Sequence, residues 1–117
     1  MPDPMALPEP PYYMVTFSSQ LAPTDTYGPV ADQMEALARQ QEGFLGIESA
    51  RGEDGFGITV CYWQDLGAIE RWKQQVDHAV VQRRGREEWY KAYHVTVARV
   101  ERAYGFQKSG ETGSMAT

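Results

Sequence analysis

Apolar residues along the chain change their spacing several times, and each change marks a new element. Tyr13, Val15 and Phe17 alternate with Met14, Thr16 and Ser18, the period of two expected of a strand with two different faces. A turn-rich stretch with Pro23, Thr24, Asp25 and Gly28 follows. Pro29 then stands where the first turn of a helix tolerates a missing N–H. Val30, Met34, Leu37 and Ala38 fall at helical spacing, and Gly43 is placed to close that helix. Residues 44–50 (FLGIESA) predict a second strand, and Asp54-Gly55 predicts a hairpin turn within residues 52–55. In the third strand Phe56, Ile58, Val60 and Tyr62 alternate with Thr59, Cys61 and Trp63. Asp65 is positioned to cap a second helix, in which Leu66, Ile69, Trp72 and Val76 share a face. A further helical stretch is predicted from about Asp77 to Glu88, with a break at Gly85. Tyr93, Val95 and Val97 then alternate with His94, Thr96 and Ala98 in a long fourth strand running to about Arg102.

The resulting order, β-α-β-β-α-β, is that of the α+β ferredoxin-like arrangement: an antiparallel four-stranded sheet with both helices on one face. A sheet covered on one side only carries polar residues on the other. Here strands one, three and four place sizeable apolar groups on both faces, which predicts that a second copy of the chain covers the far side, giving a homodimer. Five of the seven prolines (Pro2, Pro4, Pro8, Pro10 and Pro11) fall within residues 1–11, so that stretch is expected to be an N-terminal arm rather than sheet. Residues 12–106 form the folded domain, and the small, polar residues 107–117 a flexible tail.

Composition narrows the function classes. A length of 117 residues suits one domain. The net charge of −5 argues against a nucleic acid partner, whose binding relies on basic residues, and against an anionic membrane surface. Arg83, Arg84 and Arg86 are followed at once by Glu87 and Glu88, the pattern of a solvated helix face. A single cysteine, Cys61, allows no intrachain disulfide. No signal-peptide pattern and no apolar run of roughly 18 residues occurs, so a cytoplasmic protein is expected. Zinc-ligand spacing, a G-x-S-x-G elbow, a phosphate loop and a dinucleotide fingerprint are all absent from the sequence.

The stretch YWQDLGAIERWKQQVDHAVVQRRGREEWYKAYHVTVARVERAYGF, from Tyr62 to Phe106, resembles the antibiotic-biosynthesis-monooxygenase-like family of the dimeric α+β barrel superfamily. The matching features begin with Trp63 closing strand three, Trp72 nine positions on and His78 six after that. They continue as Gln82, Gly85-Arg86, Trp89-Tyr90 and a last strand ending Val100-Glu101-Arg102 with Tyr104-Gly105-Phe106. The resemblance implies a homodimer whose sheets pack into a barrel. It also implies a pocket between sheet and helices for a small apolar or aromatic molecule, oxygenated in some members without metal or flavin. Haem is disfavoured as a cofactor. The haem-degrading branch has an asparagine in its first strand and a histidine further beyond the helix tryptophan, whereas this chain has no asparagine and carries Gln82 at the further position. The asparagine used by the polyketide-oxygenating branch is absent too.

Cofactor-free oxygenation asks for a flat apolar pocket, a few polar groups for a developing oxyanion, and exclusion of water. Trp72 and His78 are the candidate catalytic residues; Trp63, Tyr62, Arg86 and His94 are candidates for substrate binding. Each has a structural alternative. Trp72 and Trp63 could anchor the core, and His78, beside Asp77, could cap a helix or face water. His94 could be a hydrogen-bonded sheet residue. Arg86 could pair with a carboxylate across a dimer. Cys61, in mid-strand, is expected to be buried and inert. Three functions follow: a cofactor-independent monooxygenase acting on a small aromatic, polyketide or quinol-type substrate; a non-catalytic dimeric binding or stress-linked protein; and, less favoured, a haem-binding or haem-degrading protein.

Overall fold

The computed structural model describes residues 7–23, 27–82, 90–106, 108 and 115–116. Its elements are β1 (Tyr12–Leu21), α1 (Tyr27–Arg39), β2 (Phe44–Arg51), β3 (Phe56–Trp63), α2 (Leu66–Gln82) and β4 (Tyr90–Val100). These four strands form one sheet in the order β2-β3-β1-β4, with every neighbouring pair antiparallel. This is the ferredoxin-like arrangement expected from the periodicity. Two short strands follow, β5 (Gly105–Phe106) and β6 (Met115–Ala116), which pair with each other as a separate ribbon. Two-residue strands are too short to show a period, so no sequence pattern marks them.

Local chemistry sets the element ends. Pro11 has no N–H to offer a ladder, so β1 begins at Tyr12, whose partner Val100 is the last residue of β4. The fourth strand therefore stops short of Arg102, and it starts earlier than predicted, at Tyr90 opposite Leu21 beyond an irregular step in the ladder. Asp65 caps α2 as expected: its Oδ1 accepts from the N–H of Ala68 at 2.8 Å. The second helix runs unbroken through Asp77 to Gln82, and the Lys73–Asp77 ion pair at 2.8 Å spans the predicted junction. Gly43 does not close α1, which ends at Arg39. With φ +95°, it instead turns the chain into β2, close enough to α2 that a Cβ there would stand 3.0 Å from Cβ of Ala68. The predicted β2–β3 hairpin closes with Gly52 N–H donating to the Phe56 carbonyl at 2.8 Å.

Opposed residues of an antiparallel ladder point to the same side, which separates the two faces of the sheet. Val15, Cys61 and Trp63 lie buried on one side with Ala38 of α1 and Ala68 and Ile69 of α2, so this is the helix-bearing face. On the far face are Tyr12, Met14, Val60 and Tyr62, and there Leu7 of the N-terminal arm lies over Gly46. Further along that face Phe56 and Ile58 are 46% and 42% exposed.

Candidate functional site

The helices do not cover the helix-bearing face evenly. Val15 of β1 is only 4% exposed, yet Val97 directly across from it on β4 is 48% exposed, and Val95, across from Phe17, is 46% exposed. An apolar strip thus leaves the core at Val15 and continues into the open along β4. Its far end is aromatic. The Phe17 ring stacks on Tyr93 at 5.4 Å and meets the edge of Tyr90 at 5.5 Å, and the two tyrosines contact each other at 5.5 Å. Such a strip suits a flat apolar molecule, because it offers apolar area and ring faces without a core residue having to move.

A polar row lies beside the aromatic end. The ladders place Arg51, Gly57, Ser19 and Tyr93 side by side across all four strands on this same face. Ser19 is 2% exposed, and its Oγ accepts from Nη2 of Arg51 at 2.9 Å. Nη1 of Arg51 donates to the Ser19 carbonyl at 3.3 Å and to the Gly55 carbonyl. Gly57 makes this reach possible: a Cβ on it would stand 2.7 Å from Cζ of Arg51 and 3.0 Å from the Ala50 carbonyl oxygen. The arginine side chain therefore crosses β3 over a residue with no side chain, and a permanently charged guanidinium is fixed one row from the apolar strip.

The residues singled out in the sequence fall in different places. Trp63 is fully buried, donates its indole N–H to the Cys61 sulfur at 3.1 Å, and packs against Phe44 and Trp72. Trp72, half-buried, donates to the Met34 carbonyl at 3.2 Å and so ties α2 to α1. Tyr62 and His94 point to the opposite side of the sheet. Tyr62 donates its hydroxyl to Glu48 at 2.8 Å, and its phenol is pushed up to about 12, first by burial and then by the hydrogen bond and charge of Glu48. His94 lies exposed opposite Ser18. The sheet thus separates Tyr62 and His94 from Trp63 and Trp72 within one subunit. His78 is on α2 with its side chain outside the described residues, and Arg86 lies outside them altogether. Burial pushes the Cys61 thiol up, against a smaller lowering by the Trp63 hydrogen bond, so it stays a protonated core residue. Among the described residues no three His, Cys, Asp or Glu are grouped to hold a metal ion, and no helix is long and apolar enough to cross a membrane.

No family model matches the chain. Across 103 residues it is 48% identical to the uncharacterized protein YqjZ of Bacillus subtilis (strain 168), an alignment taking in 87% of this chain and 90% of YqjZ. The chain belongs to the YqjZ family. A more remote relative of this YqjZ-family chain is the jasmonate monooxygenase ABM of Pyricularia oryzae, 27% identical over 94 residues; the match covers 75% of this chain and 43% of that longer protein. Among solved structures, the fold matches SnoaB of Streptomyces nogalater, described as a cofactor-independent oxygenase, with a TM-score of 0.63 at 14% identity over 80% of this chain and 97% of SnoaB. This YqjZ-family chain thus shares its fold with SnoaB.

The sequence marks Phe17, Tyr90 and Tyr93 only as strand or family positions and does not itself mark Ser19 or Arg51 as site residues. A signal for the polar row was available in Gly57, a glycine inside an otherwise bulky alternating strand, which marks a place where something else approaches the backbone.

Proposed function

We propose that this YqjZ-family chain is a cofactor-independent monooxygenase that oxidises a small aromatic, polyketide or quinol-type molecule lying on the strip formed by Val95 and Val97. The observation that carries this reading is the exposure of both valines on the helix side, in register with Phe17 and the buried Val15. The fold shared with SnoaB and the likeness to a monooxygenase support it. In the reaction, a ring CH2 activated by neighbouring carbonyl and phenol groups loses a proton, and the resulting anion passes an electron to dioxygen. Recombination gives a hydroperoxide, which loses water to leave C=O. One CH2 and one O2 become one C=O and one H2O, with dioxygen as the only oxidant. The protein's part is to hold the flat molecule, keep water out and stabilise the anion.

The active form in this proposal is a homodimer. Exposed Phe56 and Ile58 lie in one row system with Val60 on the far face, a surface that a second copy would dry.

A second reading, a non-catalytic dimeric binding protein, is favoured by the indoles of Trp63 and Trp72, which fill the space between helices and sheet with both N–H groups satisfied. Oxygen-electrode measurements with a panel of anthrones and hydroquinones separate the two. The first reading expects dioxygen uptake with one atom of isotopically heavy oxygen retained in the product. Saturable binding with no uptake across the panel selects the second.

A further inference from the structure

The helix layer holds a buried polar atom without a partner. Oε1 of Gln33 is closed off from solvent and accepts no hydrogen bond, although the residue as a whole is half-buried. Its position explains why the backbone cannot serve it. Gln33 is the middle residue of α1, where backbone N–H groups are already given to the carbonyls four residues earlier. A glutamine at a helix end has an easier solution: Nε2 of Gln41 donates to the Leu37 carbonyl, one of the last of α1, at 3.1 Å. Side chains turn about 100° per residue around a helix, so Gln33 stands roughly 140° from the buried Ala38 and roughly 120° from Arg39, whose guanidinium covers the Phe44 ring of β2. Its flank is therefore the one turned away from β2, on the side where Trp72 of α2 donates to the carbonyl of Met34, the next residue. Trp72 is itself only partly buried, so some of its ring is open on that side.

A buried acceptor without a donor costs stability, because its hydrogen bonds to water are lost and none replaces them. We propose that Gln33 is a ligand-binding residue, and that its Oε1 accepts a hydrogen bond from the hydroxyl of a neutral hydroxylated aromatic molecule seated between α1 and Trp72. The chemistry sets the ligand class. An amide oxygen only accepts, so it selects an O–H over a methylated oxygen and repels an oxyanion. The Trp72 ring offers a face to a flat body. A site that leaves its own polar group unmade discriminates strongly against an analogue that lacks the matching donor. The inference does not depend on the Val95–Val97 strip, which lies along β4.

The test uses 1-naphthol and 1-methoxynaphthalene on the full chain, two neutral probes that differ in having or lacking the donor. Wild-type protein is expected to bind 1-naphthol on the order of tenfold more tightly. Gln33→Leu, which keeps the bulk and removes the acceptor, is expected to erase that preference. The same variant is expected to melt about 4–8 °C higher, because the orphaned oxygen is gone. A melting temperature that is unchanged or lower means that the oxygen already has a partner in solution, a water included, and overturns the proposal. So does equal affinity of wild type for the two probes, or binding of neither. Should Gln33→Leu not fold, NMR of wild type decides. The side-chain carbonyl carbon of Gln33 should shift with 1-naphthol and stay still with 1-methoxynaphthalene; no shift with 1-naphthol overturns the assignment. A response to 1-naphthol at Val95 and Val97 with Gln33 silent overturns this inference alone and leaves the strip standing.

Discussion

The indole N–H of Trp63 donates to the sulfur of Cys61, two residues back on the same face of β3, at 3.1 Å. Both side chains are buried, and a buried indole donor needs an acceptor. Sulfur is a weak acceptor but small and polarizable enough to sit in a close-packed core. Cys61 is thus explained by its neighbour, without any nucleophilic role.

Replacing Cys61 with Ala should therefore cost about 1–3 kcal/mol of stability by leaving the Trp63 donor unsatisfied. Trp63→Phe, which removes the donor together with its need, should lower the additional cost of Cys61→Ala. Urea denaturation of the two single variants and the double variant measures this coupling; strictly additive losses would remove the hydrogen bond from the explanation.

Gly57→Ala should be destabilising by about 1–3 kcal/mol even though alanine suits a strand better than glycine, because the new methyl meets the Arg51 guanidinium and the Ala50 carbonyl. Pairing it with Arg51→Ala should recover part of the loss. Thermal melts of the three variants give the answer, and a Gly57→Ala protein as stable as wild type would mean that Arg51 does not cross β3.

The Tyr62 phenol is raised from 10.0 to about 12. The folded chain then keeps a proton that the unfolded chain has released. Its contribution to stability is whole below pH 10.0 and drains away as pH climbs towards about 12. Tyr62→Phe should flatten the loss of stability across that window, as followed by urea midpoints at stepped alkaline pH. An unchanged slope would show that burial and the Glu48 contact do not raise this phenol in solution.

If the far face closes on a second copy, Ile58→Lys should shift sedimentation from dimer towards monomer at micromolar concentration, because it places a charge where a dry surface is required. Wild type that sediments as a monomer would end the dimer proposal outright.

The sequence revealed the fold more readily than the site, for physical reasons. Strand and helix periods report the burial of one face, and Val15, Cys61, Ile69 and Trp72 carry that signal whatever the protein does. The Asp65 cap and the Asp54-Gly55 turn are local chemistry and appear where the sequence places them. A site depends on which side chains meet across strands. Arg51, Ser19 and Tyr93 come from three strands and share a row only once the ladders are known. Tyr62 and Trp63 show the converse: neighbours in sequence and both candidates for substrate binding, they face opposite sides of the sheet, because successive strand residues alternate.

The most direct measurement is a methyl NMR titration of the full chain with dithranol, an anthrone, under exclusion of oxygen. Methyl signals of Val95 and Val97 should shift together and saturate, with Ile58 on the other side of the sheet unmoved. Saturable shifts at Ile58 with Val95 and Val97 silent would place the ligand on the wrong face and contradict the assignment of the site.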